Sequence, residues 1–290
     1  VSACADSNRM SDFAATNQNN RHLDCLLRQV ESSSKMRRDY ALDFAESSLA
    51  PGKVPLISVN GVSKTYETRR GEKVLAIGEI SLDLADQEFV SIIGPSGCGK
   101  STLLHVVAGL LKPTSGEVRV RGEDRPIHAK EFGMVFQAPV LFPWLTIRRN
   151  VEMPAEVLGI PKSEYKSRAN ELLELVGLAS CGDMYPSELS GGMQQRASIA
   201  RAMIHDPELL LMDEPFGAVD AITRENLNIE LQRIRTVARK TVLFVTHSIS
   251  EAVFLSNRVV VMSSRPSQVR AVIDIDLPAD RGPDLLESAE

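Results

Sequence analysis

Residues 94–102, with the sequence GPSGCGKST, constrain the fold of this chain more than any other stretch. They fit the pattern G-x-x-x-x-G-K-[ST] and follow a short apolar run, residues 88–93, which is typical of a buried strand. Residues 99–111 have the pattern of a helix, which Lys112 and Pro113 would end. A glycine-rich turn between a strand and a helix directs backbone N–H groups at an anion, and the helix dipole favours negative charge there. This segment therefore predicts a phosphate-binding loop.

The loop also carries two side chains that suit a nucleotide. Lys100 can reach the β- and γ-phosphates, and the Ser101 hydroxyl can ligate Mg²⁺. Cys98 occupies a variable position of the pattern, and we interpret it as a small tolerated side chain, not as a redox switch. The predicted nucleotide-contacting residues of the loop are Gly94, Pro95, Ser96, Gly97, Cys98, Gly99, Lys100, Ser101 and Thr102.

The overall composition is that of a globular protein. The 290 residues are 43% hydrophobic and 24% charged, and a formal net charge of −5 argues against a nucleic-acid binder that relies on positive charge. The longest apolar runs, such as residues 103–111, are far shorter than the ~20 residues that span a bilayer. Any membrane role is therefore expected to come through a partner. The four cysteines are scattered without metal-ligand spacing and predict reduced thiols in a cytosolic protein.

The hydrophobic pattern of the chain predicts two kinds of sheet. Residues 56–66 and 74–84 alternate apolar and polar side chains, which favours antiparallel strands. Residues 209–212 and 241–245 are continuously apolar, as buried parallel strands require. Further strands are predicted at residues 116–121, 132–136 and 269–275, and a helix at residues 163–176. We expect an α/β fold with a mainly parallel core sheet, an antiparallel β subdomain and a helical insertion at about residues 140–205.

Three segments are expected along the chain. Residues 1–52 are rich in Ser, Asn, Asp and Arg and predict a disordered N-terminal extension, although residues 21–30 could form one or two amphipathic turns. Residues 53–278 form the predicted folded domain, and residues 279–290 a short tail. The chain begins with a valine, and the biological start could instead be Met36, a question that the sequence leaves open.

A second chemical element is the segment LLLMDEP at residues 209–215. An apolar strand that ends in two carboxylates would place Asp213 where it can hold Mg²⁺, directly or through a water. Glu214 would then face the γ-phosphate as a general base for a water molecule. An apolar run that ends in two acidic residues is weak evidence alone, and it gains weight because it follows the phosphate loop by about 110 residues.

The segment LSGGMQQR, residues 189–196, predicts another helix start that suits an anion, this time without a lysine. It resembles the signature sequence of the ATP-binding-cassette family, and it precedes the acidic strand, as in that family. The resemblance covers roughly residues 56–275 and implies a P-loop NTPase that uses ATP and Mg²⁺. The residues of this segment that the resemblance implies as nucleotide contacts are Ser190, Gly191, Gly192 and Gln194.

The resemblance implies roles for four further residues. Gln137 is similar to the glutamine that senses Mg²⁺ and the γ-phosphate, and His247 to the switch histidine that contacts the γ-phosphate. Tyr66 lies where the family stacks an aromatic ring on adenine, although a tyrosine at a strand edge often only packs. Asp220 ends the segment GAVD, which resembles the D-loop, with Val219 where leucine is more usual. The implied catalytic residues are Glu214, His247 and Gln137, and the implied metal ligands are Ser101, Gln137 and Asp213.

The family's mechanism implies partners for this chain. Two nucleotide domains of the family pack head to tail, and each ATP lies between one phosphate loop and the other subunit's signature loop. This chain has one copy of each loop, which implies a homodimer or a pair with a similar subunit. Residues 139–151 and the segments after residue 209 resemble the nitrate/sulfonate/taurine importer group. That likeness implies a transmembrane permease, an indirectly linked solute-binding protein, periplasmic or lipid-anchored, and a peripheral place on the cytoplasmic face of a bacterial inner membrane.

Two questions stay open at the level of sequence. Residues 138–159 are where such ATPases usually receive the permease, so Leu141, Phe142 and Trp144 could face it or could pack inside the helical insertion. An exporter or lipid-trafficking ATPase of the same fold is an alternative, as is a soluble cassette protein acting on DNA or ribosomes. We expect no nucleic-acid partner, because the long coiled coils or doubled cassettes usual in such proteins do not occur in the sequence. The transported solute and the identity of the permease are not encoded here.

Overall fold

The computed structural model describes residues 54–217, 219–278 and 281, which belong to one compact unit. The predicted N-terminal extension, Met36 and all of the predicted tail except Arg281 lie outside the described residues. The strands are β1 (Ile57–Glu67), β2 (Lys73–Leu84), β3 (Phe89–Ile93), β4 (Ser115–Val120), β5 (Phe132–Val135), β6 (Leu209–Asp213), β7 (Thr241–Val245), β8 (Arg258–Met262) and β9 (Val269–Asp274). The α-helices are α1 (Lys100–Val107), α2 (Ile147–Val157), α3 (Lys162–Leu175), α4 (Gly191–Met203), α5 (Ala221–Ala238) and α6 (Ile249–Leu255).

The larger sheet has six strands in the order β5-β6-β7-β3-β8-β9. The first five strands are parallel, and β9 runs antiparallel to β8 at one edge. The prediction of a mainly parallel core sheet is therefore confirmed. Strands β3, β7 and β8 are buried along their whole length, which explains why their sequences are apolar apart from Ser91, Thr241 and Arg258. Strand β8 is absent from the prediction, because a short apolar run has no periodicity that separates strand from helix.

The smaller sheet has three antiparallel strands in the order β2-β1-β4. This sheet is the predicted antiparallel subdomain. Gly116 of β4 lies against the backbone of β1 and has a φ angle of +76°. A Cβ on Gly116 would lie 2.3 Å from the carbonyl oxygen of Gly61, so only glycine fits at this crossing.

Two clusters of buried apolar side chains hold the layers together. In one cluster the rings of Phe89 and Phe244, 5.7 Å apart, join the large sheet to the helices on one side. The other cluster contains Leu103 and Leu104 of α1 together with residues from strands of both sheets. Helix α1 and the loop before it are therefore fixed between the two sheets, because side chains in a close-packed core cannot shift independently.

The helical region comprises α2, α3, α4 and two short 3-10 turns, Ala179–Cys181 and Pro186–Glu188. Residues 140–205 contain no strand, in agreement with the predicted helical insertion. Helix α1 is shorter than predicted: it ends at Val107, and Gly109 follows with a φ angle of +68°. None of the described helices is both long enough and apolar enough to cross a membrane.

Candidate active site

The phosphate loop joins β3 to α1 at the carboxyl edge of the large sheet. Gly97 and Gly99 have φ angles of +74° and +111°, which residues with a side chain rarely adopt. A Cβ on Gly99 would also lie 3.0 Å from the carbonyl oxygen of Ala76, so this position requires glycine for space as well. Gly99 occupies the position before α1 and has no side chain that could cap the helix, whose first N–H groups have no partner within it. The loop therefore offers backbone donors to an anion.

Lys100 folds back over the loop. Its Nζ donates to the carbonyl oxygens of Gly94 and Pro95, at 2.9 and 3.2 Å. The side chain is 4% exposed, and Nζ also lies 3.7 Å from Oε1 of Glu214. A buried ammonium requires partners of this kind, because an unpaired buried charge is strongly destabilising. The structure thus holds a positive charge where the β- and γ-phosphates are predicted to bind.

Two acidic residues stand at the end of β6. Ser101 Oγ donates to Oδ1 of Asp213 at 2.8 Å, which joins the start of α1 to the end of β6. Burial raises the pKa of the Asp213 carboxyl, and the hydrogen bond from Ser101 opposes that shift. A hydroxyl and a carboxylate side by side are hard oxygen donors, the ligands that Mg²⁺ prefers. The predicted metal ligands Ser101 and Asp213 therefore fit a divalent cation.

Glu214 lies between two basic groups. Its Oε1 is 3.7 Å from Lys100 Nζ, and its Oε2 is 3.4 Å from Nδ1 of His247. His247 follows β7, the neighbour of β6 in the sheet, and this adjacency brings the two side chains together. The hydrogen bond with His247 lowers the pKa of Glu214, and the same bond raises the pKa of His247. At neutral pH the Glu214 carboxylate is therefore ionised, as a general base must be.

Gln137 lies at the same edge of the sheet. It comes two residues after β5, the strand on the other side of β6. A Cβ on Gly217 would lie 3.0 Å from Nε2 of Gln137, so the glutamine amide lies over the turn that follows Glu214. Parallel strands end at one edge, and this brings Gln137 beside the acidic pair. Its amide oxygen is a third oxygen donor of the kind that Mg²⁺ accepts.

Tyr66 lies near the end of β1, in the smaller sheet. Its hydroxyl donates to Thr102 Oγ1 at 3.5 Å, which places the ring beside the start of α1. Lys64 Nζ lies 5.4 Å from the ring centroid. Tyr66 is 41% exposed, so the rest of the described chain leaves part of this residue accessible. An exposed ring next to the phosphate loop can stack on a planar base.

The signature segment begins α4 on the helical side of the molecule. Ser190 caps this helix, because its Oγ accepts a hydrogen bond from the backbone N–H of Met193 at 3.3 Å. The Gln194 amide donates to the carbonyl oxygens of Pro186 and Leu189, so its donors hold the turn before the helix. In the described part of the chain, no hydrogen bond or ion pair joins residues 190–194 to residues 94–102.

The start of α5 packs against the signature helix. Asp220 caps α5, since its Oδ1 accepts from the backbone N–H of Thr223 at 3.0 Å. A Cβ on Gly192 would lie 2.4 Å from Cγ2 of Thr223, so the signature glycine is needed for the close approach of these two helices. Ala218, within the predicted D-loop, lies outside the described residues.

Glu251 is a residue of this region that the sequence analysis missed. Its side chain is buried, and Oε2 accepts a 2.5 Å hydrogen bond from Thr246 Oγ1, while Oε1 lies 3.8 Å from Nε of Arg224. Thr246 Oγ1 also accepts from the Ser248 backbone N–H at 3.0 Å, so these contacts hold the turn on both sides of His247. Ser248 and Glu251 have the S-x-x-E spacing of a helix-capping pattern, and that spacing could have drawn attention to them.

An aromatic turn lies between β5 and α2. Asn150 is fully buried and holds this turn: its Oδ1 accepts from the Phe142 N–H at 2.7 Å, and its Nδ2 donates to three backbone carbonyls. The rings of Phe142 and Trp144 are 5.4 Å apart, and Trp144 is 70% exposed. Leu141 packs against the core of the helical region. Leu141 therefore packs inside the helical region, whereas Trp144 is exposed on the surface.

A family model described as ABC transporter matches residues 77–217. An uncharacterized ABC transporter ATP-binding protein of Methanocaldococcus jannaschii is 46% identical over 227 residues, 78% of this chain and 85% of that protein. An aliphatic sulfonates import ATP-binding protein of Bacillus cereus is 44% identical over 225 residues, 78% of this chain and 88% of that protein. A taurine import ATP-binding protein of Roseobacter denitrificans is 43% identical over 213 residues, 73% of this chain and 80% of that protein.

Solved structures give the same result for the fold. The dimeric structure of a bacterial ABC transporter cassette matches this chain with a TM-score of 0.67 and 34% sequence identity. The match covers 77% of this chain and 100% of the cassette chain. A post-hydrolysis state of the same cassette, bound to ADP and Pi, has a TM-score of 0.66 and 33% identity over the same shares of both chains. The predicted P-loop NTPase fold is confirmed. This chain belongs to the ABC transporter family, as an ATP-binding subunit that hydrolyses ATP.

Proposed function

We propose that this chain forms one half of a nucleotide-sandwich dimer that couples ATP binding and hydrolysis to solute import through a separate permease. The observation that carries the proposal is the Glu214 carboxylate, which lies between Lys100 and His247 at the end of β6. Relatives named as aliphatic sulfonates and taurine import ATP-binding proteins support the import direction and the class of solute. On this proposal the chain acts at the cytoplasmic face of a bacterial inner membrane, with a solute-binding protein delivering solute to the permease.

Three side chains are proposed to hold Mg²⁺. Ser101 and Asp213 are already joined by a hydrogen bond, and Gln137 lies at the same edge of the sheet. Among the described residues, no three His, Cys, Asp or Glu side chains form a metal site, so the ion would take its other ligands from phosphates and water. When bound, Mg²⁺ neutralises charge on the phosphates during phosphoryl transfer.

Glu214 is proposed to act on the attacking water. Phosphate oxygens would attract the Lys100 ammonium and the His247 imidazole, both of which contact the Glu214 carboxylate in this structure. The carboxylate would thereby be freed to accept a hydrogen bond from water and to take its proton. The lowered pKa of Glu214 keeps the carboxylate in its basic form before the reaction. Attack of this water at the γ-phosphorus breaks the bond to the β-phosphate oxygen and releases inorganic phosphate and ADP.

The dimer is proposed because the two anion-binding loops are separate within one chain. Residues 190–192 share no hydrogen bond with the phosphate loop in the described part of the chain, so they are free to contact ATP bound to a second copy. A structural neighbour is described as a dimeric ABC transporter cassette, which supports this arrangement. On this proposal each ATP is bound by residues of two chains, and its hydrolysis allows the two chains to separate.

Glu214→Gln tests the proposed base. The amide keeps the shape of the side chain but cannot take a proton, so kcat should fall by on the order of 10² to 10⁴-fold while ATP binding persists. Phosphate release measures kcat, and size-exclusion chromatography with ATP should show more dimer for the variant. Glu225→Gln is the matched control, because Glu225 is an exposed residue of α5. Hydrolysis by E214Q at the wild-type rate would show that Glu214 is not the base.

Trp144 is the residue proposed to contact the permease. It is 70% exposed and is held on a turn fixed by buried Asn150, so the ring is presented outward at little cost in conformational entropy. We expect Trp144→Ala to reduce the fraction of the chain that co-purifies with membrane permease subunits, detected by mass spectrometry. Val237→Ala is the control, since Val237 is 65% exposed on α5. Equal recovery of permease with both variants would contradict this contact.

A further inference from the structure

The loop that follows Gln137 contains a strained residue. Val140 has a φ angle of +47°. A β-branched side chain is strongly disfavoured in this left-handed region, because Cβ and its branches crowd the adjacent carbonyl oxygen. The Val140 side chain is 58% exposed, so its own packing does not hold the backbone in this conformation. Strained backbone persists only where the surroundings determine it, and such residues concentrate at functional sites.

Arg201, in the last turn of α4, supplies the group that holds the loop. Its Nη1 donates to the carbonyl oxygen of Val140 at 2.7 Å, and its Nη2 donates to that of Pro139 at 2.9 Å. Burial lowers the pKa of the Arg201 guanidinium. In the described part of the chain no carboxylate pairs with it, so its charge is balanced by the dipoles of the loop. The planar guanidinium presents its N–H donors in a fixed fork, so two successive carbonyls bound to it are held in a defined relative orientation.

The same helix also holds the chain on the other side of Gln137. Gln195 is 2% exposed, and its Nε2 donates to the carbonyl oxygen of Phe136 at 3.1 Å. Helix α4, which begins at the signature segment, therefore holds the backbone immediately before Gln137 through one side chain. It holds the backbone shortly after Gln137 through Arg201. A shift of α4 would move both flanks of Gln137 together.

We propose that Arg201 is a positioning residue for Gln137: it holds the loop at Pro139 and Val140 in a strained conformation that sets where the glutamine amide lies. This inference rests on the proposed role of Gln137 at the metal and the γ-phosphate. It assigns the hold of the signature helix on the chain after Gln137 to the Arg201 guanidinium and the strained Val140, while Gln195 holds the chain before Gln137. Arg201 touches neither nucleotide-binding loop, so it acts on hydrolysis through Gln137 and not through ATP affinity.

The test is a double-mutant cycle of R201M and V140G, measured as the ATPase activity of the purified chain. Methionine keeps an unbranched stem but has no donor for the two carbonyls. Alone, R201M should lower kcat by about tenfold through misplacement of Gln137, with KM for ATP changed by less than about twofold. Glycine adopts positive φ without strain. In the V140G background the same R201M change should therefore cost less than about threefold.

A matched arginine shows whether the rescue is specific. Arg281 is 3% exposed and also donates to two backbone carbonyls, those of Val253 and Phe254. These residues lie more than 100 positions after Val140 in the sequence. Any loss of kcat in R281M should be the same with and without V140G. If V140G reduced both losses equally, glycine would be acting on general stability, and the inference would be wrong.

The remaining outcomes are also decisive. Equal losses from R201M in the two backgrounds, or no loss, would overturn the inference. If R201M is insoluble, recovery of a soluble and active chain in the V140G background, with no matching rescue of R281M, supports the inference. Insolubility in both backgrounds contradicts it. Gln137→Ala separates the inference from the proposed function. Normal hydrolysis by Q137A would remove the role of Gln137 itself, whereas a defective Q137A with an unaffected R201M would remove only the role of Arg201.

Discussion

Helix α1 follows a glycine-rich loop and helix α4 begins with two glycines, but the first turns of the two helices have different surroundings. Gly99, which precedes α1, has no capping side chain. The first two residues of the helix, Lys100 and Ser101, contact the carboxylates of Glu214 and Asp213. Helix α4 is capped by Ser190, whose hydroxyl already accepts from a backbone N–H of the first turn. One helix start is uncapped and highly charged, and the other is partly satisfied and neutral.

This difference indicates how the chemistry is divided between the two helix starts. An uncapped start beside a buried ammonium can bind a polyanion strongly, because backbone donors and a full positive charge converge on it. A start capped by serine has fewer free donors and no cation, so it suits a ligand that is already held elsewhere. We therefore expect α1 to govern ATP affinity and α4 to govern assembly around bound ATP.

Lys100→Ala should give the largest effect and tests whether α1 governs ATP affinity. Removing the buried ammonium leaves the phosphates without their main cation, so kcat/KM should fall by on the order of 10³-fold. Equilibrium binding of a fluorescent ATP analogue, together with phosphate release, measures the loss. Lys240→Ala is a control, because Lys240 pairs with Asp206 away from the loop. Binding and hydrolysis close to wild type in K100A would show that α1 does not govern ATP affinity.

Ser190→Ala should have an intermediate effect and tests whether α4 governs assembly around bound ATP. The change removes the helix cap at a cost of about 1 kcal/mol, and it should reduce ATP-dependent dimer formation more than ATP binding by the single chain. Ser190→Gly separates the two roles, since glycine is tolerated at a helix cap at a cost of a few tenths of a kcal/mol. Dimer formation is measured by size-exclusion chromatography in ATP. Loss of ATP binding in the monomer would contradict the division between the helices.

The pH dependence of stability should show the smallest effect. The pKa of Glu214 is lowered from 4.5 and that of His247 is raised from 6.5, each chiefly by their mutual hydrogen bond. Their contribution is therefore complete between those two ordinary values, is lost as pH falls through the folded pKa of Glu214, and is lost as pH rises through that of His247. Because the His247 side chain is 38% exposed, we expect less than about 1 kcal/mol.

Thermal unfolding of wild type and His247→Gln across this pH range measures that contribution. The difference in Tm should be largest at weakly acidic pH and should shrink above the raised pKa of His247. The destabilisation by S190A should stay constant over the same range, because Ser190 bonds to a backbone N–H that does not titrate. A Tm difference for H247Q that does not change with pH would show that the Glu214–His247 pair is not ionic.

Much of the fold was predictable because its signals are local. The glycine-rich segment at residues 94–102 needs positive φ angles and close backbone approach, and both requirements are visible in residue type. The continuous apolar runs of β6 and β7 indicate burial on both faces. The end of α1 was predicted too late, since Gly109 ends the helix before Pro113 is reached. Strand β8 was missed because a short apolar run has no periodicity that separates a strand from a helix, and its pairing with β3 and β9 is set by the whole fold.

Residue types at fixed short spacings were enough to predict which side chains would bind phosphate and metal, because those chemical properties are local to the sequence. Which of these side chains contact one another depends on the three-dimensional fold. Glu214 contacts both Lys100 and His247 because β6, β7 and β3 end at one edge of the sheet, and strand order is set by the packing of the whole domain. The hydrogen bonds from Arg201 to the strained loop at Val140 likewise depend on where α4 packs. Contacts between residues far apart in the chain follow from the close packing of the entire core, which no short segment specifies.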